Sequence, residues 1–213
     1  MQPSQFKVVV CGRAGVGKTS LLCATDTAWQ FASNRQPATI GVDFFLRTVT
    51  ADDGTAAVLQ FWDTAGQERF APPSALVYRR ADAVIFVYDL TDRASYEAMG
   101  AILAAALGAE PRCFVIIVGN KLDLAPTARV VTTAEVAAGC ASHNYSFLET
   151  SAHDRTGVDA MLAVLANALV QRHRRRPPTA DGATTTAAAL DGRPVPIHTA
   201  PPIVAERSAP CAC

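Results

Sequence analysis

The chain has 213 residues, which is enough for one α/β domain of ordinary size and a further tail segment. Its 19 lysines and arginines equal its 19 aspartates and glutamates, so no net charge favours nucleic acid, and we expect no nucleic-acid partner. Because the sequence has neither a signal-like start nor an apolar run long enough to span a bilayer, we expect a cytosolic protein.

Short apolar runs alternate with helix-like segments along the first 170 residues. Phe6 to Cys11 is a β-branched run followed by a glycine-rich loop and a helical pattern, which is how a parallel sheet begins. Phe44 to Thr50, followed by Asp52-Asp53-Gly54, predicts an antiparallel edge strand that ends in a hairpin turn. Further strands are predicted at Val58 to Trp62, Val84 to Tyr88 and Phe114 to Val118, and helices at Ala94 to Leu107, Thr132 to Ala141 and Val158 to Val170. The apolar strands indicate a mixed, mostly parallel sheet that is covered on both faces.

The composition changes abruptly after Gln171, to a segment rich in arginine, proline, alanine and threonine. Prolines recur from residue 177 to residue 210, and they disfavour regular secondary structure in this segment. We therefore predict a folded domain over residues 1–176 and a disordered tail over residues 177–213.

A phosphate-binding loop is predicted from Gly12 to Thr19, which fits the pattern G-x-x-x-x-G-K-[ST] between a strand and a helix. Such a loop turns backbone amides inward around phosphate oxygens, and the helix N-terminus adds partial positive charge. Lys18 is predicted to neutralise the β and γ phosphates during catalysis, and the Thr19 hydroxyl to ligate Mg²⁺. The predicted phosphate-loop contacts are Ala14, Gly15, Val16, Gly17, Lys18, Thr19 and Ser20. The weak alternative is an ordinary glycine-rich turn, and the loop alone does not distinguish kinases, ATPases and GTPases.

A second set of chemical groups follows the predicted strand that ends at Trp62. Asp63 is placed to organise Mg²⁺, the Gly66 amide to donate to a γ-phosphate, and Gln67 to orient an attacking water. These three residues predict a site that senses and cleaves a terminal phosphate, with Gln67 as a catalytic residue.

The turn Asn120-Lys121-Leu122-Asp123 directly follows a predicted strand, at the sheet edge where open α/β proteins bind ligands. The Asp123 carboxylate can accept both adjacent donors of guanine, whereas adenine would present a ring acceptor to it. Alone the pattern is weak, and a solvated turn is the alternative. Downstream of a phosphate loop it predicts guanine recognition, with Asn120, Lys121 and Asp123 as nucleotide contacts.

Ser151-Ala152-His153 follows another short predicted strand and supplies three more predicted nucleotide contacts. The backbone amide of Ala152 is placed to bond the guanine oxygen. His153 either stacks on the base or is an ordinary surface-loop histidine.

These residues resemble the Ras superfamily of small GTPases and, within it, the Rab family. The likeness covers Phe6 to Val170 and the last three residues, and it rests also on Thr39 to Phe44, Trp62 to Phe70 and Tyr88 to Asp92. It implies a P-loop NTPase small G domain, whose six-stranded, mostly parallel sheet has one antiparallel edge strand and about five helices. It also implies a monomer that binds GTP or GDP and Mg²⁺. The implied partners are an exchange factor, a GTPase-activating protein, a GDP-dissociation inhibitor, an escort protein, and effectors on switch segments I and II.

The resemblance assigns roles within the two switch segments. Thr39 is similar to the switch I threonine that ligates Mg²⁺, together with Thr19 and Asp63, and touches the γ-phosphate only in the GTP state. Gly66 is its switch II counterpart, so loss of both contacts on hydrolysis would release both segments.

An effector-facing set is also implied: Ile40, Gly41, Val42, Phe44, Trp62, Phe70 and Tyr78. Plain core packing is an equal alternative for Phe44, Trp62 and Tyr78 taken singly.

The sequence departs from the Rab pattern around switch I. The stretch between Thr19 and Thr39 is slightly longer than usual, and Gln36 replaces the usual tyrosine. We expect Phe31 rather than Trp29 to contact the guanine-ribose edge, with core or loop packing as the alternative for both.

Three further departures bear on function. Ala14 occupies the crowded position beside the γ-phosphate, His153 replaces a usual lysine, and Arg80 and Pro72-Pro73 alter switch II. The leading hypothesis is a GTPase of membrane traffic that cycles between GDP and GTP states and recruits effectors. The second is a membrane scaffold that binds GTP and hydrolyses it too slowly to cycle. The third is a P-loop kinase that uses adenine nucleotides.

The chain finishes with Cys211-Ala212-Cys213, which matches the Rab C-x-C terminus that receives two geranylgeranyl groups. Two lipid chains give durable membrane attachment, so we expect the protein on the cytoplasmic face of an intracellular membrane, with a soluble cytosolic pool. A chance pair of cysteines or a soft metal site is the alternative. The neighbouring Arg172, Arg174, Arg175 and Arg176 either favour anionic lipids or form a solvated helix end.

Overall fold

A computed structural model of the protein describes residues 3–28, 41–64 and 75–175. All of these residues belong to one compact unit, whose bounds are Met1 and Thr179. The predicted boundary between residues 176 and 177 lies outside the described residues, so the division into domain and tail stays a prediction.

Within the described residues, six strands form a single sheet. They are β1 (Ser4–Cys11), β2 (Val42–Thr50), β3 (Ala56–Thr64), β4 (Ala83–Asp89), β5 (Phe114–Asn120) and β6 (Ser146–Glu149). Their order across the sheet is β2-β3-β1-β4-β5-β6. β2 is antiparallel to β3, whereas every other neighbouring pair is parallel. The predicted mixed sheet with one antiparallel edge strand is thus confirmed.

The three helices that the periodicity predicted over given ranges are present, and one of them is divided. The described residues contain α1 (Lys18–Cys23), α2 (Ala75–Tyr78), α3 (Arg93–Glu97), α4 (Met99–Ala109), α5 (Ala125–Ala128), α6 (Thr133–His143) and α7 (Val158–Arg175). The helix predicted from Ala94 to Leu107 is divided at Ala98 into α3 and α4. α5 directly follows a 3-10 turn, Leu122–Leu124. None of the helices in the described ranges is both long and apolar enough to cross a membrane.

Local side-chain chemistry sets several helix ends. The Asp92 carboxylate accepts the Ala94 amide before α3, and the Thr132 hydroxyl accepts the Glu135 amide before α6. Asn144 adopts the left-handed conformation after α6, a conformation that asparagine tolerates better than most residues.

Alternate residues of the central strands point to two separate cores. Val8 and Val10 of β1 pack in the core beneath α1 and α7, while Val9 packs on the opposite face with α4 and α6. β4 is buried along its whole length. Because both faces are covered, these strands are apolar throughout, as the sequence predicted.

Two aromatic residues of the predicted effector-facing set, Phe44 and Tyr78, differ sharply in burial. Phe44 of β2 is 52% exposed, and its ring meets that of Trp62 edge-on, with centroids 5.6 Å apart. Tyr78 is completely buried in the second core, so core packing accounts for it. Ile40 and Phe70, from the same predicted set, lie outside the described residues.

Candidate active site

The predicted site residues collect at one edge of the sheet. β1, β3, β4, β5 and β6 are all parallel, so their carboxyl ends share that edge. The phosphate loop follows β1, Asp63 lies near the end of β3, and Asn120 is the last residue of β5. Parallel register therefore brings together motifs that are far apart in the sequence.

The phosphate loop takes a conformation that only glycine accommodates well. Gly12, Gly15 and Gly17 have φ angles of 135°, 83° and 94°. A Cβ atom on Gly12 would lie 2.0 Å from the Val87 carbonyl oxygen of β4, and one on Gly17 would lie 2.4 Å from the Asn120 side-chain nitrogen. The glycines thus allow the loop to pass directly against β4 and β5.

Lys18 lies at the start of α1 and is 6% exposed. Its Nζ atom donates to the carbonyl oxygens of Gly12, at 2.5 Å, and Arg13, at 3.1 Å. These bonds hold the ammonium group over the loop, at the N-terminus of a helix whose dipole also favours anions.

A hydroxyl and a carboxylate meet at the position predicted for a metal. The Thr19 Oγ1 atom donates to Asp63 Oδ2 at 2.5 Å, and Asp63 is completely buried. Thr64 fixes this end of β3, because its hydroxyl donates to the Val10 carbonyl of β1 at 2.9 Å. Two converging hard oxygen donors fit Mg²⁺, which prefers oxygen ligands and retains water in its shell.

Asn120 joins the phosphate loop to the predicted base-binding loop. Its Nδ2 atom donates to the Val16 carbonyl at 2.8 Å, and its Oδ1 atom accepts the Ala152 amide at 3.1 Å. Asn120 is 1% exposed, so both bonds are shielded from water. One side chain therefore fixes the spacing between the two loops.

The rest of the N-K-x-D turn is also held by long-range contacts. Ser151 donates its hydroxyl to Asp123 Oδ1 at 2.8 Å. The Lys121 Nζ atom lies 2.7 Å from Asp89 Oδ2, at the end of β4. Asp123 is exposed, and so is His153. The turn thus presents a carboxylate at the surface while its neighbours are anchored.

Several residues that support the base-binding loop were not predicted from the sequence. Arg129 makes a bidentate pair with Glu149, with both nitrogen-oxygen distances 2.7 Å, and Thr133 adds a bond of 2.8 Å. The hydrogen bonds that Arg129 donates to Glu149 also raise the pKa of Arg129. This cluster holds Glu149, the last residue of β6, two positions before Ser151. Glu149 was visible as the residue preceding the Thr-Ser-Ala run, but no local signal marked Arg129 as its partner.

Six predicted site residues lie outside the described residues: Phe31, Thr39, Gly66, Gln67, Cys211 and Cys213. Their roles stay predictions. Within the described ranges, no group of three or more His, Cys, Asp or Glu side chains could hold a metal ion. The predicted Mg²⁺ set is of a different kind, because Asp63 is its one carboxylate.

A sheet with this strand order, a glycine-rich phosphate loop after β1 and an N-K-x-D turn after β5 define a guanine-nucleotide-binding G domain. The family model described as "Ras family" matches residues 7–171. The chain therefore belongs to the Ras family, in which it is a Rab small GTPase: it binds GTP and GDP, and it hydrolyses GTP.

The similar proteins come from distant eukaryotes. The Ypt/Rab-type GTPase Rab7 of Neurospora crassa is 38% identical over 173 residues, which cover 78% of this chain and 83% of that protein. The Ras-related protein RABG3e of Arabidopsis thaliana is 39% identical over 172 residues, with coverages of 77% and 82%. The Ras-related protein Rab-1 of Theileria parva is 35% identical over 187 residues, with coverages of 85% and 81%. Rab GTPases act in vesicle trafficking, together with regulators and effectors.

Proposed function

We propose that this chain is a membrane-anchored Rab GTPase that cycles between GDP and GTP states and recruits effectors through switches I and II. The observation that carries the proposal is the Asn120 junction, with hydrogen bonds of 2.8 Å to the phosphate loop and 3.1 Å to the Ala152 amide. Because one buried side chain holds both loops, a nucleotide can meet phosphate donors and base donors at a fixed separation.

Guanine selectivity rests on Asp123. Ser151 occupies Oδ1 of this carboxylate, which orients the group so that it can accept the ring N–H and exocyclic amine of guanine. An adenine base would leave the charge without these donors, at a cost of roughly 2 to 3 kcal/mol or more. Asn120 supports the loop, while Lys121, Ala152 and His153 line the base.

Phosphate chemistry is assigned to the opposite part of the site. Lys18 and the amides from Ala14 to Ser20 bind the phosphates, and Thr19 and Asp63, with Thr39, would hold Mg²⁺. A bound Mg²⁺ supplies positive charge that offsets the charge developing on the phosphate oxygens. Gln67 orients the attacking water, and Gly66 donates its amide to the γ-phosphate. These contacts also make the switches responsive to the state of the nucleotide.

Membrane attachment is assigned to the tail. Cys211 and Cys213 would carry geranylgeranyl groups, delivered with an escort protein, and a GDP-dissociation inhibitor would extract the lipidated protein into a cytosolic pool. Arg172 and Arg175 are exposed at the end of α7, where the predicted tail begins. Each basic residue near an anionic membrane surface adds about 1 kcal/mol of attraction. Imaging a tagged chain beside a Cys211→Ser, Cys213→Ser double variant tests this anchor, because the variant should lose all membrane signal.

The nucleotide assignment is tested by competition of ATP and GTP for the purified full chain. We expect GTP to win by a factor of at least about thirty, the equivalent of the 2 kcal/mol above. Replacing Asp123 by alanine should remove most of that preference, whereas Asp159→Ala, an exposed carboxylate on α7, should leave it intact. Preferential binding of ATP by the wild type would support the hypothesis of a P-loop kinase and contradict the assignment of Asp123 to guanine recognition.

Ala14 favours one alternative, a scaffold that binds GTP and hydrolyses it slowly. This residue lies in the turn of the phosphate loop between Arg13 and Gly15, where even a methyl group can crowd the γ-phosphate. Single-turnover GTP hydrolysis, measured with and without a Rab-type GTPase-activating protein, separates the two functions. Strong stimulation supports the cycling GTPase, whereas tight GTP binding without any stimulation supports the scaffold. An Ala14→Gly variant should hydrolyse faster in either case if the crowding argument is right.

A further inference from the structure

A single arginine connects the predicted base-binding loop to the segment that follows the phosphate-loop helix. The Arg155 Nη1 atom donates to the Asp26 carbonyl oxygen at 2.5 Å, across 129 positions of sequence. Arg155 lies between β6 and α7, four residues after Ser151, and Asp26 lies three residues after the end of α1. We call this contact the outer bridge, because it lies nearer the surface than the buried Asn120 junction.

The guanidinium group of Arg155 is better placed for this carbonyl than for any carboxylate that it meets in the described residues. Its Nη2 atom lies 3.5 Å from Asp159 Oδ1, but the Asp159 side chain is 82% exposed and its charge is screened by solvent. The Arg155 side chain is only 24% exposed. A charge-assisted bond to a backbone carbonyl is shorter and stronger than a neutral one, so the outer bridge is its principal interaction.

The acceptor end of the bridge belongs to a well-braced turn. The Asp26 Oδ1 atom accepts the Ala28 amide at 2.9 Å. The neighbouring Thr25 hydroxyl donates to the Leu22 carbonyl at 2.6 Å and accepts from Arg47 Nε of β2 at 2.8 Å. The bridge therefore ties the base-binding loop to a turn that is itself fixed to α1 and β2.

The arginine occupies this position at a conformational cost. Its φ angle is 68°, in the left-handed region that glycine enters freely and other residues rarely adopt. Asn144 has the same kind of backbone, with φ of 58°, but it lies directly after α6, outside the predicted phosphate and base-binding loops. Replacing either residue by glycine relieves the backbone, and only the change at Arg155 removes the outer bridge.

We propose that Arg155 is a positioning residue for nucleotide retention, which straps the base-binding loop to the turn after α1 and thereby slows GDP release. The proposal rests on the assignment of Lys18 to the phosphates and of Ala152 to the base. A nucleotide with those contacts spans α1 and the loop, which are the two segments that the bridge prevents from separating.

The test is the dissociation rate of a fluorescent GDP analogue from the full chain, chased with excess GDP at saturating Mg²⁺. Arg155→Gly should accelerate release by about three- to tenfold, as expected for the loss of one ordinary hydrogen bond, because the contact lies near the surface, where solvent screens the charge. Its urea-unfolding midpoint in excess GDP should change little, because backbone relief offsets the weaker nucleotide binding. Arg155→Lys keeps the charge and one donor, so its release rate should lie between those of the wild type and the glycine variant.

Two variants are matched controls. Asp159→Asn removes the charge of the second partner of Arg155, and Asn144→Gly relieves a left-handed residue elsewhere; both should leave the release rate unchanged. An unchanged rate in Arg155→Gly overturns the proposal, and so does a faster rate accompanied by a marked loss of the unfolding midpoint, since that result indicates general destabilisation.

Asp123→Ala distinguishes this proposal from the site assignment on which it rests. If Asp123→Ala accelerates release and Arg155→Gly does not, only the strap is wrong. If neither variant changes the rate, the assignment of the base-binding loop fails as well.

Discussion

Replacing Asn120 by alanine is the sharpest test of how the site is held together. The side chain is 1% exposed, and it bonds the Val16 carbonyl at 2.8 Å and the Ala152 amide at 3.1 Å. The orientation of its amide follows from these neighbours, because a carbonyl faces one end and an N–H group faces the other. Alanine removes both bonds at once.

The expected loss follows from the burial of the groups left behind. Val16 is 1% exposed and Ala152 is 5% exposed, so water has little access to the unpaired carbonyl and amide. Each buried polar group without a partner costs about 1 to 3 kcal/mol, which predicts a loss of about 2 to 6 kcal/mol. That is a large part of the roughly 5 to 15 kcal/mol typical of a folded domain.

The assay is urea unfolding of the full chain in excess GDP, followed by far-UV circular dichroism. Asn167→Ala is the matched control, because Asn167 also accepts one amide, from Asp52, and donates to one oxygen, Asp52 Oδ2, both at 2.8 Å. These bonds are exposed, so water can replace them, and we expect a loss below about 1 kcal/mol.

An Asn120→Asp variant sharpens the test. Aspartate keeps the shape of the side chain and the acceptor for the Ala152 amide. It replaces the Nδ2 donor, which lies 2.8 Å from the Val16 carbonyl oxygen, by a carboxylate oxygen that repels that carbonyl. We expect it to be at least as destabilising as alanine. If Asn120→Ala costs no more than Asn167→Ala, the reasoning about the buried junction is refuted.

Three further predictions concern other parts of the domain. Gly12→Ala should cost more than about 4 kcal/mol in urea unfolding, because its Cβ atom would lie 2.0 Å from the Val87 carbonyl oxygen; a fully folded variant with wild-type stability would contradict this contact. Arg80→Gly should raise the free energy of unfolding by about 1 kcal/mol, because glycine adopts a φ angle of 58° without strain. A lower urea midpoint would contradict this prediction, since it would mean that the arginine side chain stabilises the fold by more than the backbone strain destabilises it. Burial raises the pKa of the Cys113 and Cys140 thiols to about 11 from an ordinary 9.0, so iodoacetamide at pH 8 should label them slowly until the protein is unfolded. The same shift means that their contribution to stability is complete below pH 9 and is lost as the pH rises towards 11, so the urea midpoint should fall over that interval; rapid labelling or a flat profile would refute the burial argument.

The local motifs could be predicted from the sequence because each consists of consecutive residues that require a particular backbone conformation. The glycines of the phosphate loop indicate a backbone conformation that other residues avoid. Asp52-Asp53-Gly54 indicates the hairpin between β2 and β3, and in this turn the Ala51 amide donates to the Thr55 carbonyl at 2.9 Å. Strand boundaries were less accurate, since predicted β2 began at Phe44 and the strand begins at Val42. Strand ends depend on pairing with a neighbour, which a single strand's composition does not record.

The sequence by itself determined the class of fold, the glycine-rich loop after β1 and the N-K-x-D turn after β5, because patterning and backbone preference act over short stretches. Only the tertiary structure decided that Tyr78 is buried while Phe44 is 52% exposed, since both are aromatic residues whose burial depends on the elements packed over them. Tertiary structure also decided the partners of Lys121 and Arg155. Asp89 reaches Lys121 because β4 and β5 are parallel and in register. Asp26 meets Arg155 because the short helix α1 begins at the edge of the sheet where β6 ends. Such pairs are chosen by strand order and crossover geometry, which no local run of residues encodes.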